Sequence, residues 1–337
     1  MKVHESDFFE IEHFLEKKQT FNFLPLNSDK NICHICYNVN NPYFEIMGSS
    51  IISVLSNNKD MNFMIHIFTD GYTLENAHKI EELSQKWNCC CVLYTLDMQP
   101  FENFHIKVKR FYSITYGRIY MPKILKCVTS RYIYIDSDTM CISSLRDLWN
   151  LNLKGKAIGV VSESPESVSY RAKFLKLTNN IYFNDGIMVV DIKEWEHQEI
   201  TEKAFSYQDE PKERFLGHDQ DILNIVMDGN VFLLPSKYNA YGGGKDYLDC
   251  DDAVIVHWTG RRKPWQMVLT KFDQQWRHYN ALSPWETITN ILPVKKPENY
   301  HDFQQWGKYQ KRNGHMSGYL KGMFWYSWLR IRYKMGL

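Results

Sequence analysis

Arg131-Tyr-Ile-Tyr-Ile-Asp136-Ser137-Asp138-Thr-Met-Cys141 is the stretch on which the reading of this chain turns. Its first half, Tyr132 to Ile135, is aromatic and β-branched, the composition of a short buried strand. It then runs into two carboxylates one residue apart. Side chains alternate along an extended chain, so Asp136 and Asp138 share a face. They would stand at the carboxyl end of a buried strand, where open α/β sheets hold their ligands. Two neighbouring carboxylates repel each other and lose hydration. A hard divalent cation relieves both costs. Mg²⁺ and Mn²⁺ take oxygen ligands, often a pair of carboxylates completed by substrate phosphates. One reading is therefore a metal–diphosphate site. The other is a solvated turn after a strand, because Asp and Ser are common turn formers.

Outward from this stretch, apolar runs alternate with segments of helical spacing. Ile32–Val39, Phe63–Phe68, Cys89–Leu96, Ala157–Val161, Ile187–Asp191, Val231–Leu234 and Val254–His257 read as strands. Tyr43–Ser56, Leu74–Trp87, Thr115–Leu125, a segment from about Lys193, and Asp219–Met227 read as helices. Ser162–Arg171 reads as a loop or short helix, and a helix is expected around Phe8–Lys17. Strands alternating with helices predict an α/β fold with a mostly parallel sheet and helices on both faces. The rhythm fades after about Pro264. The expected division is an N-terminal extension over 1–30, a catalytic domain over 31–265 and a C-terminal region over 266–337.

A chain of 337 residues with 44% hydrophobic and 23% charged residues can bury a large core. A formal net charge of +1 argues against nucleic-acid binding by the whole protein. The eight cysteines are irregularly spaced, with Cys89, Cys90 and Cys91 adjacent, which suits reduced thiols in a cytosol rather than a disulfide framework. Cys33 and Cys36 form a lone C-x-x-C inside a strand-like run. Residues 1–10 lack the basic and apolar segments of a secretory signal. No window approaches the ~18 apolar residues of a membrane span.

Four further motifs accompany the aspartate pair: Thr115-Tyr-Gly-Arg118 upstream, and Tyr182-Phe-Asn184-Asp185-Gly-Ile-Met-Val-Val-Asp191, Gly217-His-Asp219-Gln220-Asp-Ile-Leu-Asn224 and Val256-His257-Trp-Thr-Gly260-Arg-Arg-Lys263-Pro-Trp265 downstream. In this order the set resembles glycosyltransferase family 8, the retaining transferases that use UDP-sugars. Within it the chain is most similar to the bacterial lipopolysaccharide core glucosyl- and galactosyltransferases. The resemblance covers roughly residues 30–265, and the tail also looks like that subgroup's.

The resemblance implies a GT-A fold and a role for each motif. Asp136, Asp138 and His257 would hold Mn²⁺ or Mg²⁺, His257 through a neutral imidazole nitrogen. Gly260 would let the backbone approach the diphosphate and Lys263 would supply a point charge, with Arg261 and Arg262 adding positive field. Arg118 would contact the donor near its diphosphate or sugar. Tyr43 would stack on uracil beside Asn40, which stands where relatives usually carry an aspartate; Pro42 replaces a usual asparagine and cannot donate from its backbone. Ser137 and Asp185 complete the donor-binding set, and Asn184, Asp219 and Gln220 would surround the donor sugar. Gln220 matches the residue nearest the anomeric carbon. An amide is a poor nucleophile, so a front-face reaction through an oxocarbenium-like ion pair is preferred to the double displacement of retaining glycosidases.

From Phe303 to Leu337 there is no acidic residue, and basic residues interleave with aromatics. That pattern suits an anionic membrane surface, each cation contributing about 1 kcal/mol. The expected enzyme is a hexosyltransferase on the cytoplasmic face of a bacterial inner membrane, using UDP-glucose or UDP-galactose on lipopolysaccharide core. The alternatives are a glycogenin-like or protein-directed transferase, and a non-catalytic nucleotide-sugar or RNA-binding module.

Overall fold

The central strand forms as Arg131–Ile135 (β5), buried in the middle of an eight-stranded sheet. The computed structural model describes residues 9–26, 32–104, 106, 113–211, 213–241, 252–260, 262–266, 268–285, 300–312 and 314–336. The strands of the chain are Leu15–Asn22 (β1), Ile32–Asn38 (β2), Asn62–Thr69 (β3), Cys90–Leu96 (β4), β5, Thr139–Cys141 (β6), Ile158–Ser162 (β7), Phe183–Asp191 (β8), Phe232–Leu233 (β9), Ala240–Tyr241 (β10) and Ile255–His257 (β11). The large sheet has the order β1-β4-β3-β2-β5-β8-β7-β9, and β10-β11-β6 make a smaller one. In the large sheet β2, β3, β4, β5, β7 and β9 run one way, while β1 and β8 run against them. The fold is thus the mostly parallel α/β arrangement expected.

Helices cover both faces. Phe44–Ser56 (α1) follows β2, Leu74–Lys86 (α2) follows β3, and Gly117–Leu125 (α3) precedes β5. Arg146–Trp149 (α4), Pro165–Leu175 (α5), Ile192–His197 (α6), Ile200–Phe205 (α7), Asp219–Met227 (α8) and Lys271–Leu282 (α9) come next. Tyr300–Arg312 (α10) and Met316–Lys334 (α11) close the chain as a hairpin. One apolar core lies on the face of Ile35 and Ile133, with α1 and α9; the other lies on the face of Tyr134, with Ile119 and Trp195. Cys33 belongs to the first core and Cys36 to the second. The C-x-x-C cysteines therefore point to opposite faces, as residues three apart on a strand must.

Two local expectations are corrected. The segment expected as a helix around Phe8–Lys17 contains a single 3₁₀ turn, Ile11–His13, and then enters β1. β1 pairs antiparallel with β4 and exposes Glu16, Lys17 and Lys18, which suits a sheet edge. The strand expected over Ile187–Asp191 begins earlier, at Phe183, as β8. Its pairing with β7 skips from Met188 to Asn184, a bulge that carries Asp185 and Gly186.

A buried histidine pair joins β2 to β3 and reaches Tyr94 of β4. His34 Nδ1 lies 2.9 Å from His66 Nε2, and His66 Nδ1 lies 3.1 Å from the Tyr94 hydroxyl. Burial pushes the His34 pKa down to about 4 from 6.5. Between these values the unfolded chain binds a proton that the folded protein refuses, so stability is complete above pH 6.5 and falls as pH drops toward 4. The loss at pH 4 is on the order of 3 kcal/mol. Urea midpoints at pH 7 and pH 4 should lie closer together for His34→Leu than for the wild type; an unchanged separation contradicts the assignment.

Candidate active site

The topology explains why distant motifs meet. β5 delivers Asp136 to the carboxyl edge of the sheet. Because β8 runs the other way, its first residues, Asn184 and Asp185, reach the same edge. The Asp136 amide donates to the Gly186 carbonyl at 2.8 Å and locks the two together. Beyond Asp138 the chain enters β6, whose antiparallel pairing with β11 sets Thr139 opposite His257. The Trp258 amide then donates to the Asp138 carbonyl at 3.1 Å. Serines of α1 brace the turn from below: Tyr37, Ser50 and Thr139 hydroxyls are linked at 3.1 and 2.9 Å, and Thr139 donates to the Asp136 carbonyl at 2.8 Å.

His257 Nε2 lies 3.1 Å from Asp138 Oδ1 and 3.6 Å from Asp136 Oδ2. Ligand atoms of the three residues fall within 4.8 Å of one another. Asn239 Oδ1 sits 2.9 Å from His257 Nδ1. With Nδ1 donating to that amide, Nε2 is the nitrogen turned toward the carboxylates, the arrangement of a metal ligand with its outer hydrogen bond made. Two carboxylates and an imidazole are also the right donors for Mn²⁺-like ions. The residues present therefore fit a divalent cation.

These side chains line one cleft of about 480 Å³. Asn40, Tyr43, Arg118, Asp136, Ser137, Asp138, Asn184, Asp185, Asp219, Gln220, His257 and Lys263 all line it, and Gly260 does not. A Cβ at Gly260 would meet nothing within 4 Å among the described residues, so none of them requires a glycine there. Asn40 is buried, whereas Tyr43 stands at the rim with its ring edge-on to Trp265, 6.3 Å between centroids. Lys263 Nζ bonds Asp138 and the Trp258 carbonyl. Arg262 turns inward and pairs with buried Asp273 at 2.8 Å, and Asp273 also accepts from Trp258 Nε1 at 2.9 Å. It anchors the basic loop to α9 rather than adding to the cleft's field. Arg261 lies outside the described residues.

Arg118 is buried and surrounded by carboxylates. Its nitrogens approach Asp136 Oδ1 at 3.2 Å, Asp185 Oδ2 at 3.0 Å and Asp219 Oδ2 at 2.7 Å, and its guanidinium stacks 4.5 Å from the Tyr134 ring centre. One delocalised cation thus ties together three acidic groups from three elements. Burial still raises Asp185 well above the usual carboxylate range, with Asp219 and Asp136 adding to the rise and Arg118 opposing it. Asp219 is raised for the same first reason, again against Arg118. Asp138 moves the other way: burial would raise it, but Lys263 and His257 hold it below the ordinary range.

The sugar side of the cleft is an oriented hydrogen-bond array. Asp221, fully buried, pairs with Arg171, accepts the Tyr182 proton at 2.7 Å, and accepts from the Gly217 amide at 2.8 Å. Tyr182 has given its only proton to a carboxylate, so it can only accept the Gln220 contact at 2.8 Å. The Gln220 amino group must therefore face Tyr182. Its carbonyl accepts from Asn184 Nδ2 at 3.1 Å. Asn184 also donates to Glu163 at 3.2 Å. At the head of α8, His218 adopts φ 54°, ψ −124°, a conformation foreign to most non-glycine residues and common where a site imposes it. Glu163, Tyr182, Asp221 and Asn239 were not expected at the site. Tyr182 and Asp221 lie inside quoted motifs, but Glu163 and Asn239 sit in stretches whose composition gives no signal.

The protein-family model described as Glycosyl transferase family 8 matches residues 34–268. Among curated relatives, a lipopolysaccharide 1,2-glucosyltransferase of Escherichia coli is 28% identical over 92% of this chain and 90% of its own. A lipopolysaccharide 1,3-galactosyltransferase of Salmonella typhimurium is 26% identical over 84% of this chain and 88% of its own. Among solved structures, galactosyltransferase LgtC in complex with donor and acceptor sugar analogs aligns with a TM-score of 0.64 at 18% identity, over 74% of this chain and 96% of that one. The likeness establishes the GT-A fold.

Proposed function

The chain belongs to glycosyl transferase family 8, and from that premise we propose that it transfers glucose or galactose, with retention, from a UDP-sugar to the core oligosaccharide of lipopolysaccharide. The observation that carries this reading is the Asp136–Asp138–His257 cluster in the wall of the cleft. A divalent cation bound there supplies positive charge against the departing diphosphate. Lys263, already within reach of Asp138, adds a second charge to the same space. Asn40 and Tyr43 receive the nucleotide, with Ser137 beside them. Asp185 and Arg118 form the charged floor, and Asn184, Asp219 and Gln220 meet the sugar hydroxyls.

The side-chain partners favour a front-face reaction. Asp219 is engaged by Arg118 and accepts from Thr115 Oγ1 at 3.0 Å on both oxygens. A carboxylate so neutralised is a weak nucleophile. Gln220, whose carbonyl accepts from Asn184 at the cleft wall, would stabilise positive charge at an anomeric carbon through its amide dipole. The donor's own diphosphate then takes the acceptor proton. A glycosyl adduct on Asp219 contradicts this sequence of events.

Purified protein should release UDP from UDP-glucose or UDP-galactose with Mn²⁺, faster with core acceptor, and EDTA should stop it. Release unaffected by EDTA removes the metal from the reading. The preferred donor identifies the sugar, and NMR of the product gives linkage and anomeric configuration.

The hairpin supports membrane docking over the soluble-acceptor alternative. No helix among the described residues is long and apolar enough to cross a membrane. Nevertheless α11 exposes Leu320, Phe324, Trp328 and Ile331, each at least half accessible. Spaced by four, four and three, they form one stripe away from α10, with Lys321 and Arg332 along one flank and Arg330 and Lys334 along the other. Exposed apolar and aromatic side chains flanked by cations favour contact with an anionic interface. Removing 310–337 should release the protein from vesicles containing anionic lipid while UDP release from the donor alone persists. Unchanged vesicle partition after trimming counts against the role.

A further inference from the structure

We infer that Asn239, through a hydrogen-bond line anchored on the Gly186 backbone, is a positioning residue that holds the Nδ1 proton of His257 and turns its Nε2 toward the carboxylates. The inference rests on the cation site proposed above and concerns how its imidazole is prepared. The line begins at a donor that cannot rotate: the Gly186 amide gives its proton to Asn184 Oδ1 at 3.1 Å. That contact identifies the Asn184 oxygen, since a backbone N–H cannot accept. Asn239 Nδ2 donates to the same oxygen at 2.8 Å. Its amino group is thereby committed, and its carbonyl must face His257 Nδ1 at 2.9 Å. An amide oxygen accepts only, so Nδ1 bears a proton, and Nε2 is held toward Asp136 and Asp138, where a cation would replace its 3.1 Å contact with Asp138 Oδ1.

Each link is buried. Asn239 is 2% exposed, His257 2% and Asn184 7%, so water does not compete for these bonds. The other end of Asn184 strengthens the orientation: its amino group donates to Gln220 and Glu163, neither of which would tolerate an oxygen there. The sugar-facing amide and the metal-facing imidazole are therefore held by one array. Asn239 touches neither the donor nor the cation site directly; it acts through His257.

The test combines a metal-free readout with a binding readout. In metal-free wild-type protein at pH 8, ¹⁵N spectra should show His257 protonated at Nδ1, its resonances identified by their loss in His257→Gln. Asn239→Leu should scatter the tautomer and weaken Mn²⁺ binding, measured by calorimetry without donor, by about 10–100-fold, the range for a lost outer-shell partner. Asn239→Asp, whose carboxylate can still accept from Nδ1, should recover much of that loss. A merely structural Asn239 would lower thermal stability in both variants alike and leave the tautomer intact. An Nε2–H tautomer in the wild type overturns the inference, whether or not the variants fold. So does Asn239→Leu with unaltered tautomer and Mn²⁺ affinity. Failure of wild-type protein to bind Mn²⁺ at all would instead strike the proposed function, because the NMR assignment of Nδ1–H does not depend on it.

Discussion

Asp138→Ala is expected to lower Mn²⁺-dependent UDP release by about a thousandfold or more, the several kcal/mol that a cation contributes to a departing diphosphate. The argument is electrostatic. Asp138 is the carboxylate that both Lys263 and His257 face, at 2.5 Å and 3.1 Å. Burial alone would protonate it more readily, yet Lys263 and His257 beside it keep it ionised. Without it, the cluster keeps one carboxylate and one imidazole, and Lys263 loses the partner that holds it at the cleft. Asp138→Asn preserves shape and hydrogen-bonding capacity but not charge, and should lose nearly as much activity with a smaller change in melting temperature. The check is UDP release at saturating Mn²⁺ beside thermal melts of both variants. Either variant retaining a tenth of wild-type release would remove the cation from the chemistry.

The parts of this architecture that a reader of the sequence can find are those written in apolar runs. Ile32–Asn38, Asn62–Thr69, Cys90–Leu96 and Arg131–Ile135 stand out because strands buried on both faces have no polar alternation to blur them. Asp219–Met227 is equally plain, since carboxylates crowd the first turn of an apolar helix, where the dipole favours them. β1 is hidden for the opposite reason. Leu-Glu-Lys-Lys-Gln-Thr-Phe-Asn is half solvated at an edge, and its pairing with β4 comes from tertiary context rather than propensity. Phe183-Asn-Asp-Gly looks like a turn because three of its four residues favour turns, but the bulge in β8 uses them to aim side chains into the cleft. Arg118 shows the limit most clearly. Its helix is legible, and its partners are not, because Asp136, Asp185 and Asp219 converge from separate elements only in the folded chain.

Gly186→Ala should disable the cation site while leaving the fold in place. A Cβ built on Gly186 would lie 2.3 Å from His257 Cε1, 2.9 Å from His257 Nδ1 and 2.7 Å from Asp136 Oδ2. All three atoms belong to proposed ligands; Asp136 Oδ2 is a carboxylate tip, but its partner oxygen is held by Arg118 at 3.2 Å and Tyr134 at 2.8 Å. His257 is 2% exposed and tied to Asn239, while the Asp136 backbone is tied to the Gly186 carbonyl at 2.8 Å. The methyl must therefore push the imidazole and the carboxylate apart, and a displacement near an ångström is enough to spoil coordination, where distances hold to about 0.2 Å. Mn²⁺ affinity should fall by about a hundredfold, at the severe end of what disturbed ligand support costs, with roughly 1–3 kcal/mol of overpacking. Gly159→Ala is the control. Its Cβ would meet Leu153 at 2.8 Å and Leu234 at 3.3 Å, a milder, apolar crowding in β7 and outside the cleft. It should lose stability and keep its Mn²⁺ affinity. Calorimetric titration of both proteins with Mn²⁺, beside their urea midpoints, separates displaced ligands from general strain; equal affinities in the two variants would refute the placement of His257 and Asp136 over Gly186.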